Sequence, residues 1–139
     1  MSAANPISEL TFRIRHTMLP VADLDRSLDF YSRMLGMKVV KRRSNPARKQ
    51  EVGYVGYGDE ATHHTLELIA DETVKTVEPT AGHVAVGVND LRKLCEFLNK
   101  EGVVFRQQPV PNRPGDPNLT AFIKDPDGHE LELTERHPG

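Results

Sequence analysis

A stretch near the start of the chain returns about half a chain later, and this repeat restricts the available folds more than any other feature. HTMLPVADLDRSLDFYSRMLG, from His16 to Gly36, recurs as HVAVGVNDLRKLCEFLNKEG, from His83 to Gly102, with an offset of 67 residues at the histidines. Within it Val21 falls on Val88, Asp23-Leu24 on Asp90-Leu91 and Phe30 on Phe97. Both halves also end alike, TLELIA around Glu67 and HELELTE around Glu132, so histidine and glutamate stand 51 residues apart in one half and 49 in the other. Half of a 139-residue chain is too short to bury much core alone, so the two copies must pack together.

Hydrophobic spacing gives each copy the same order of elements. Thr11 to Val21 alternates as a strand, with Ile14, His16 and Met18 on one face. Asp23 is placed to cap a helix whose Leu24, Leu28, Tyr31 and Leu35 share a face, with Gly36 to end it. Met37 to Lys41 reads as a strand, Arg42 to Lys49 as a basic loop around Asn45-Pro46, and Val52 to Tyr57 and His63 to Ala70 as two more strands. After a linker from Asp71 to Ala81 the pattern restarts. Val84, Val86 and Val88 line one strand face, and Asp90 caps a helix with Leu91, Leu94, Cys95 and Leu98 on its stripe, closed by Gly102. Val103 to Arg106 is a short strand, and Gln107 to Pro117, with four of the ten prolines, is expected to be an irregular loop. Leu119 to Ile123 and His129 to Thr134 are strands joined by the turn Asp125-Pro126-Asp127-Gly128. The class is α+β, each half being strand, helix, three strands. If the helices cover one face of each sheet, the other faces carry His16, Glu67, His83 and Glu132 and line a cavity.

Each of those four residues has a dull explanation when taken singly, as an outward strand residue satisfied by its neighbours. Their matching places in a repeat change the reading. Two halves related by a pseudo-twofold axis would bring two imidazoles and two carboxylates to one point, a donor set suited to nickel, cobalt, zinc, iron or manganese. His63, His64, His129 and His137 have no such counterparts and are expected at the surface.

Other function classes fall away. A net charge of −2 offers no pull toward nucleic acid or an anionic membrane. The basic residues Lys41, Arg42, Arg43, Arg48 and Lys49 lack interleaved aromatics and read as a solvated loop rather than a phosphate patch. Gly53, Gly56 and Gly58 follow neither the spacing nor the context of a dinucleotide fingerprint. No apolar run approaches the roughly 20 residues of a spanning helix. MSAANPISELTF is no secretory leader, so a cytoplasmic setting is expected. The single cysteine, Cys95, rules out an internal disulfide and reads as buried filler.

From Arg13 to Glu135 the sequence resembles the vicinal oxygen chelate superfamily, and within it the glyoxalase I (lactoylglutathione lyase) family. RIRHTML, DLDRSLDFYSRMLGMKVV, VGYGDE, LEL, GHVAVGV and AFIKDPDGHELEL carry the resemblance. It implies a single domain over residues 1–139 built from paired βαβββ modules, here 11–70 and 81–135, forming a half-open mixed sheet around a metal cavity. The implied metal ligands are His16, Glu67, His83 and Glu132, the implied ion nickel or cobalt with zinc as the alternative, and the implied assembly a homodimer whose sites are shared between chains. In the implied reaction the hemithioacetal of a 2-oxoaldehyde and glutathione becomes a 2-hydroxyacyl thioester through an enediolate, with Glu132 as base, Glu67 as opposing carboxylate and the ion as Lewis acid. Two positions depart from the family. Pro20 and Asp71 stand where an arginine and an asparagine commonly hold the glutamyl end of glutathione, which points to another thiol, or none. Arg113 is then the remaining candidate for a substrate carboxylate. Alternatives are an epimerase or extradiol-type dioxygenase on the same scaffold, or a metal-free module that sequesters a small molecule. Glu67 and the complete ligand set favour the lyase.

Overall fold

The computed structural model describes residues 5–136, so His137 lies outside the described residues. The first module runs β1 (His16–Pro20), α1 (Leu24–Asp29), β2 (Lys38–Asn45), β3 (Gln50–Gly56) and β4 (Thr65–Asp71). The second runs β5 (His83–Val88), α2 (Leu91–Lys100), β6 (Val104–Pro111), β7 (Leu119–Lys124) and β8 (Glu130–Glu135). The strands form two four-stranded sheets of matching order, β1-β4-β3-β2 and β5-β8-β7-β6. In each, the first and last strands of the module pair in parallel and the other pairs are antiparallel. The α+β class and the paired βαβββ modules therefore hold.

Local chemistry accounts for the helices. Asp23 and Asp90 each accept a hydrogen bond from the backbone amide three residues on, at 3.1 Å in both, and so cap α1 and α2. Gly36 (φ 69°) and Gly102 (φ 79°) lie in the left-handed region just beyond the helices, a conformation that glycine adopts at little cost. Leu24, Leu28, Tyr31 and Leu35 are all buried, although the last turns differ from the expectation: a π-helical turn over Phe30–Met34 follows the six residues of α1. One apolar cluster takes Leu19, Leu28, Leu66 and Leu68 from the first module and Leu91, Leu98, Leu131 and Leu133 from the second. Cys95 is buried within it, where burial pushes its thiol up to about 11.

Polar contacts fasten the modules together. The Tyr31 hydroxyl donates to Asp125 Oδ2 at 2.7 Å, and Asp127 Oδ1 accepts from the Ala22 amide at 3.0 Å and from Arg26 at 3.1 Å. His129 Nδ1 accepts from the Thr80 amide at 3.1 Å, which leaves the proton on Nε2 to donate to the Pro20 carbonyl at 2.6 Å.

Four expectations need correction. The strand expected over Thr11 to Val21 is only His16–Pro20, because its partner β4 begins at Thr65, opposite His16. The basic loop starts later, since β2 continues to Asn45 and pairs Arg42 and Arg43 with Gly53 and Val52. The loop expected from Gln107 is strand as far as Pro111. β6 is an edge strand with register irregularities, where a missing proline donor removes no needed ladder bond. His129 is buried, not at the surface, because the turn that carries it closes over the end of β1. His63 and His64 are exposed as expected.

Candidate metal centre

Strand alternation sends Leu66 and Leu68 into the core and Glu67 to the opposite face. Met18 is the register partner of Glu67 on the neighbouring parallel strand, so His16, two residues earlier, shares that face. His16 Nε2 stands 3.5 Å from Glu67 Oε1. The second module repeats the construction. Ala85 is the partner of Glu132, His83 lies two residues before it, and His83 Nε2 stands 3.3 Å from Glu132 Oε2. Each imidazole also meets an aromatic ring edge-on, His16 with Tyr54 at 5.7 Å and His83 with Phe122 at 5.8 Å between centroids.

These two cups fit a divalent transition ion. Ligand bonds of about 2.0 to 2.2 Å hold neighbouring nitrogen and oxygen donors about 3.0 to 3.4 Å apart, close to the separations found. Within the single chain the cups remain separate. Among the described residues no three histidine, cysteine, aspartate or glutamate side chains gather at one point. The expectation of four ligands at one point is thus not met by one chain, which supplies two pairs.

The cups differ in what surrounds the carboxylate. Tyr54 is the register partner of Glu67, and its hydroxyl donates to Glu67 Oε2. Burial, reinforced by that carboxylate, pushes the phenol up, so it stays a donor. Arg43 approaches the same oxygen at 3.9 Å. The corresponding partner of Glu132 is Phe122, which has no hydroxyl to give. Arg106 lies over the Phe122 ring at 4.2 Å and binds Glu130 with two nitrogens, at 2.8 and 3.0 Å.

A family model for the Glyoxalase/Bleomycin resistance protein/Dioxygenase superfamily matches residues 13–133. The chain belongs to this superfamily. Among curated members, it is 37% identical to a probable lactoylglutathione lyase of Vibrio cholerae over 88% of this chain and 90% of that protein. It is 38% identical to the lactoylglutathione lyase of Escherichia coli over 88% and 92%. Among solved structures, glyoxalase I from Zea mays superposes with a TM-score of 0.84 at 32% identity, covering 91% of this chain and 45% of that one. The trypanothione-dependent glyoxalase I of Leishmania major superposes with a TM-score of 0.79 at 35% identity, covering 90% and 87%. This glyoxalase superfamily member is a glyoxalase I-like lyase.

The substrate candidates lie on different elements of the fold. Pro20 ends β1 on the His16 face, four residues on, and Asp71 ends β4 on the Glu67 face. Asp71 is already engaged: Gln50 donates to Oδ2 at 3.0 Å and the Thr73 amide and hydroxyl donate to Oδ1 at 2.9 and 2.6 Å. These donors hold its carboxyl below the usual range. Arg113 lies exposed in the turn between β6 and β7. Sequence reasoning missed Tyr54, Phe122, Arg43 and Arg106. The repeat carried a signal for the aromatic pair, since Phe122 follows Tyr54 by 68 residues, close to the offset of the histidines.

Proposed function

We propose that the protein isomerises the hemithioacetal of a 2-oxoaldehyde, methylglyoxal being the simplest case, and a thiol to a 2-hydroxyacyl thioester. His16, Glu67, His83 and Glu132 are the metal ligands in this reading. The observation that carries it is the pair of matching cups, each aiming one imidazole and one carboxylate at a common point at metal-ligand spacing. A bound divalent ion, nickel or cobalt ahead of zinc, supplies Lewis acidity toward the two neighbouring substrate oxygens. Glu132 takes the carbon-bound proton and returns it to the adjacent carbon. Its side chain is the more exposed of the two glutamates, 25% against 11%, and among the described residues no hydrogen bond holds it. Glu67 is the opposing carboxylate.

Since one chain offers only pairs of ligands, the complete site is proposed to form in a homodimer, from His16 and Glu67 of one chain and His83 and Glu132 of the partner subunit. The exposed apolar side chains Phe12, Ile14 and Met18, along and before edge strand β1, support a partner there. Glutathione lacks its usual match at Pro20 and Asp71, so a different thiol is favoured, with Arg113 as a contact for its carboxylate. The similar Leishmania major enzyme, described as trypanothione-dependent, is a precedent for a change of thiol. A small-molecule substrate, a cytoplasmic setting and no nucleic-acid or membrane partner complete the proposal.

Metal analysis tests it. The purified protein should take up about one divalent ion per chain, and His83→Ala should strip most of it. Failure to take up nickel, cobalt, zinc or iron under any condition would overturn the lyase mechanism and leave a metal-free binding module.

A further inference from the structure

We infer that Tyr54 is a positioning residue that makes Glu67 a fixed, single-oxygen metal ligand, and that Phe122 at the matching place leaves Glu132 free to move a proton. The inference rests on the metal reading above and extends it to a residue outside the ligand set.

The argument is geometric. In the first cup the two oxygens of Glu67 face different partners: Oε1 lies 3.5 Å from His16 Nε2, while Oε2 accepts the Tyr54 hydroxyl and has Arg43 at 3.9 Å. A carboxylate with one oxygen bound by a hydroxyl and flanked by a guanidinium presents only the other oxygen to a cation. Its rotation is also stopped, because turning the group would break the hydroxyl bond and move Oε1 away from the imidazole. Tyr54 itself is held, with its side chain buried directly across the β3–β4 ladder from Glu67. The second cup has the same histidine, the same ladder position and the same edge-on ring, but the ring is Phe122. Arg106, which lies over that ring, is drawn to Glu130 instead of Glu132. A carboxylate that must accept a carbon-bound proton and then return it needs one oxygen free of a fixed hydrogen-bond donor, even while the other serves as a ligand. The two halves thus share one backbone plan, and the hydroxyl present in one cup and absent from the other, together with the different placing of the nearby arginine, separates the roles of the two glutamates.

Two reciprocal substitutions test this, with metal binding as a readout independent of turnover. Tyr54→Phe copies the second cup and keeps the ring. Titrated with Co2+ against a competing chelator, it should bind the ion about 10- to 100-fold more weakly than wild type, with a changed Co2+ ligand-field spectrum. Phe122→Tyr adds a hydroxyl beside Glu132. It should bind Co2+ at least as tightly as wild type and lower kcat at least about 10-fold with KM little changed. Tyr54→Phe binding Co2+ with wild-type affinity and spectrum would overturn the inference. So would Phe122→Tyr at full kcat, a result that stands even if Tyr54→Phe fails to fold. A wild type that binds no Co2+ would overturn the metal reading and take this inference down with it. Wild-type binding with unchanged variants would sink the Tyr54 role alone.

Discussion

Mixing two inactive variants of different modules should restore activity to a calculable level. His16→Ala damages the first cup and Glu132→Gln the second. In a mixed dimer, the site joining the first cup of the His16→Ala subunit to the second cup of the Glu132→Gln subunit carries both lesions. The other site joins the two undamaged cups. With equal amounts and free exchange, about half the dimers are mixed and each has one intact site of two, so about one quarter of wild-type activity returns. Mixing His16→Ala with Glu67→Gln is the control. Both lesions fall in the first cup, every site in every dimer contains one, and nothing returns. The assay is initial rate of thioester formation, followed while the equimolar mixture incubates, with metal held in excess. The separation of the cups within one chain predicts this contrast. Equal recovery in the two mixtures, or none in either after exchange is demonstrated, would refute the shared-site argument.

Tyr31→Phe removes the buried bond to Asp125 across the modules and should cost about 1.5 to 3 kcal/mol by urea unfolding. Burial and then the Asp125 charge raise the Tyr31 phenol far above its ordinary value of 10.0, so its contribution is full below pH 10 and declines as the unfolded chain ionises above it. Wild type should therefore lose stability relative to the variant by about 1.4 kcal/mol per pH unit above pH 10, and parallel pH curves would contradict this. Pro20→Arg with Asp71→Asn should lower KM for the methylglyoxal–glutathione adduct by one to two decades, for a contact of about 1.5 to 3 kcal/mol, without changing metal content. A wild type already near about 10⁶ M⁻¹s⁻¹ on that adduct would show that other residues hold glutathione.

What the sequence disclosed follows from what repetition and periodicity encode. The helix caps Asp23 and Asp90, the closing Gly36 and Gly102 and the buried stripe from Leu24 to Leu35 are local signals, and each was readable because it concerns neighbours within a few residues. The failures came where strand pairing decides. Arg42, Arg43 and Gln107 to Pro111 look like loop by composition, yet each lies on an edge strand whose partner supplies the ladder, and only the register with β3 and β7 reveals it. His129 failed for a related reason, since the two hydrogen-bond partners of its ring, Thr80 and Pro20, lie 49 and 109 residues away. The π-helical turn at Phe30–Met34 left no mark on the apolar stripe, which accommodates one extra residue per turn at its end without exposing Leu35.

The candidate site shows the same division in sharper form. Histidine and glutamate were legible because duplication kept each type at both places, so that two copies vouched for one another. Tyr54 and Phe122 occupy corresponding places too, but the copies have diverged, and a search for repeated identities passes over such a pair. The divergence is where the two halves stop being equivalent. A symmetric pair of cups would offer a substrate two interchangeable carboxylates, each able to act as ligand or as base. Under the proposed division of roles, one hydroxyl on Glu67 and none on Glu132 would remove that degeneracy at small structural cost, because tyrosine and phenylalanine pack alike against the neighbouring imidazole. In this duplicated fold, then, identities across the repeat mark the shared scaffold of the site, and the Tyr54–Phe122 difference marks where the two cups stop being equivalent.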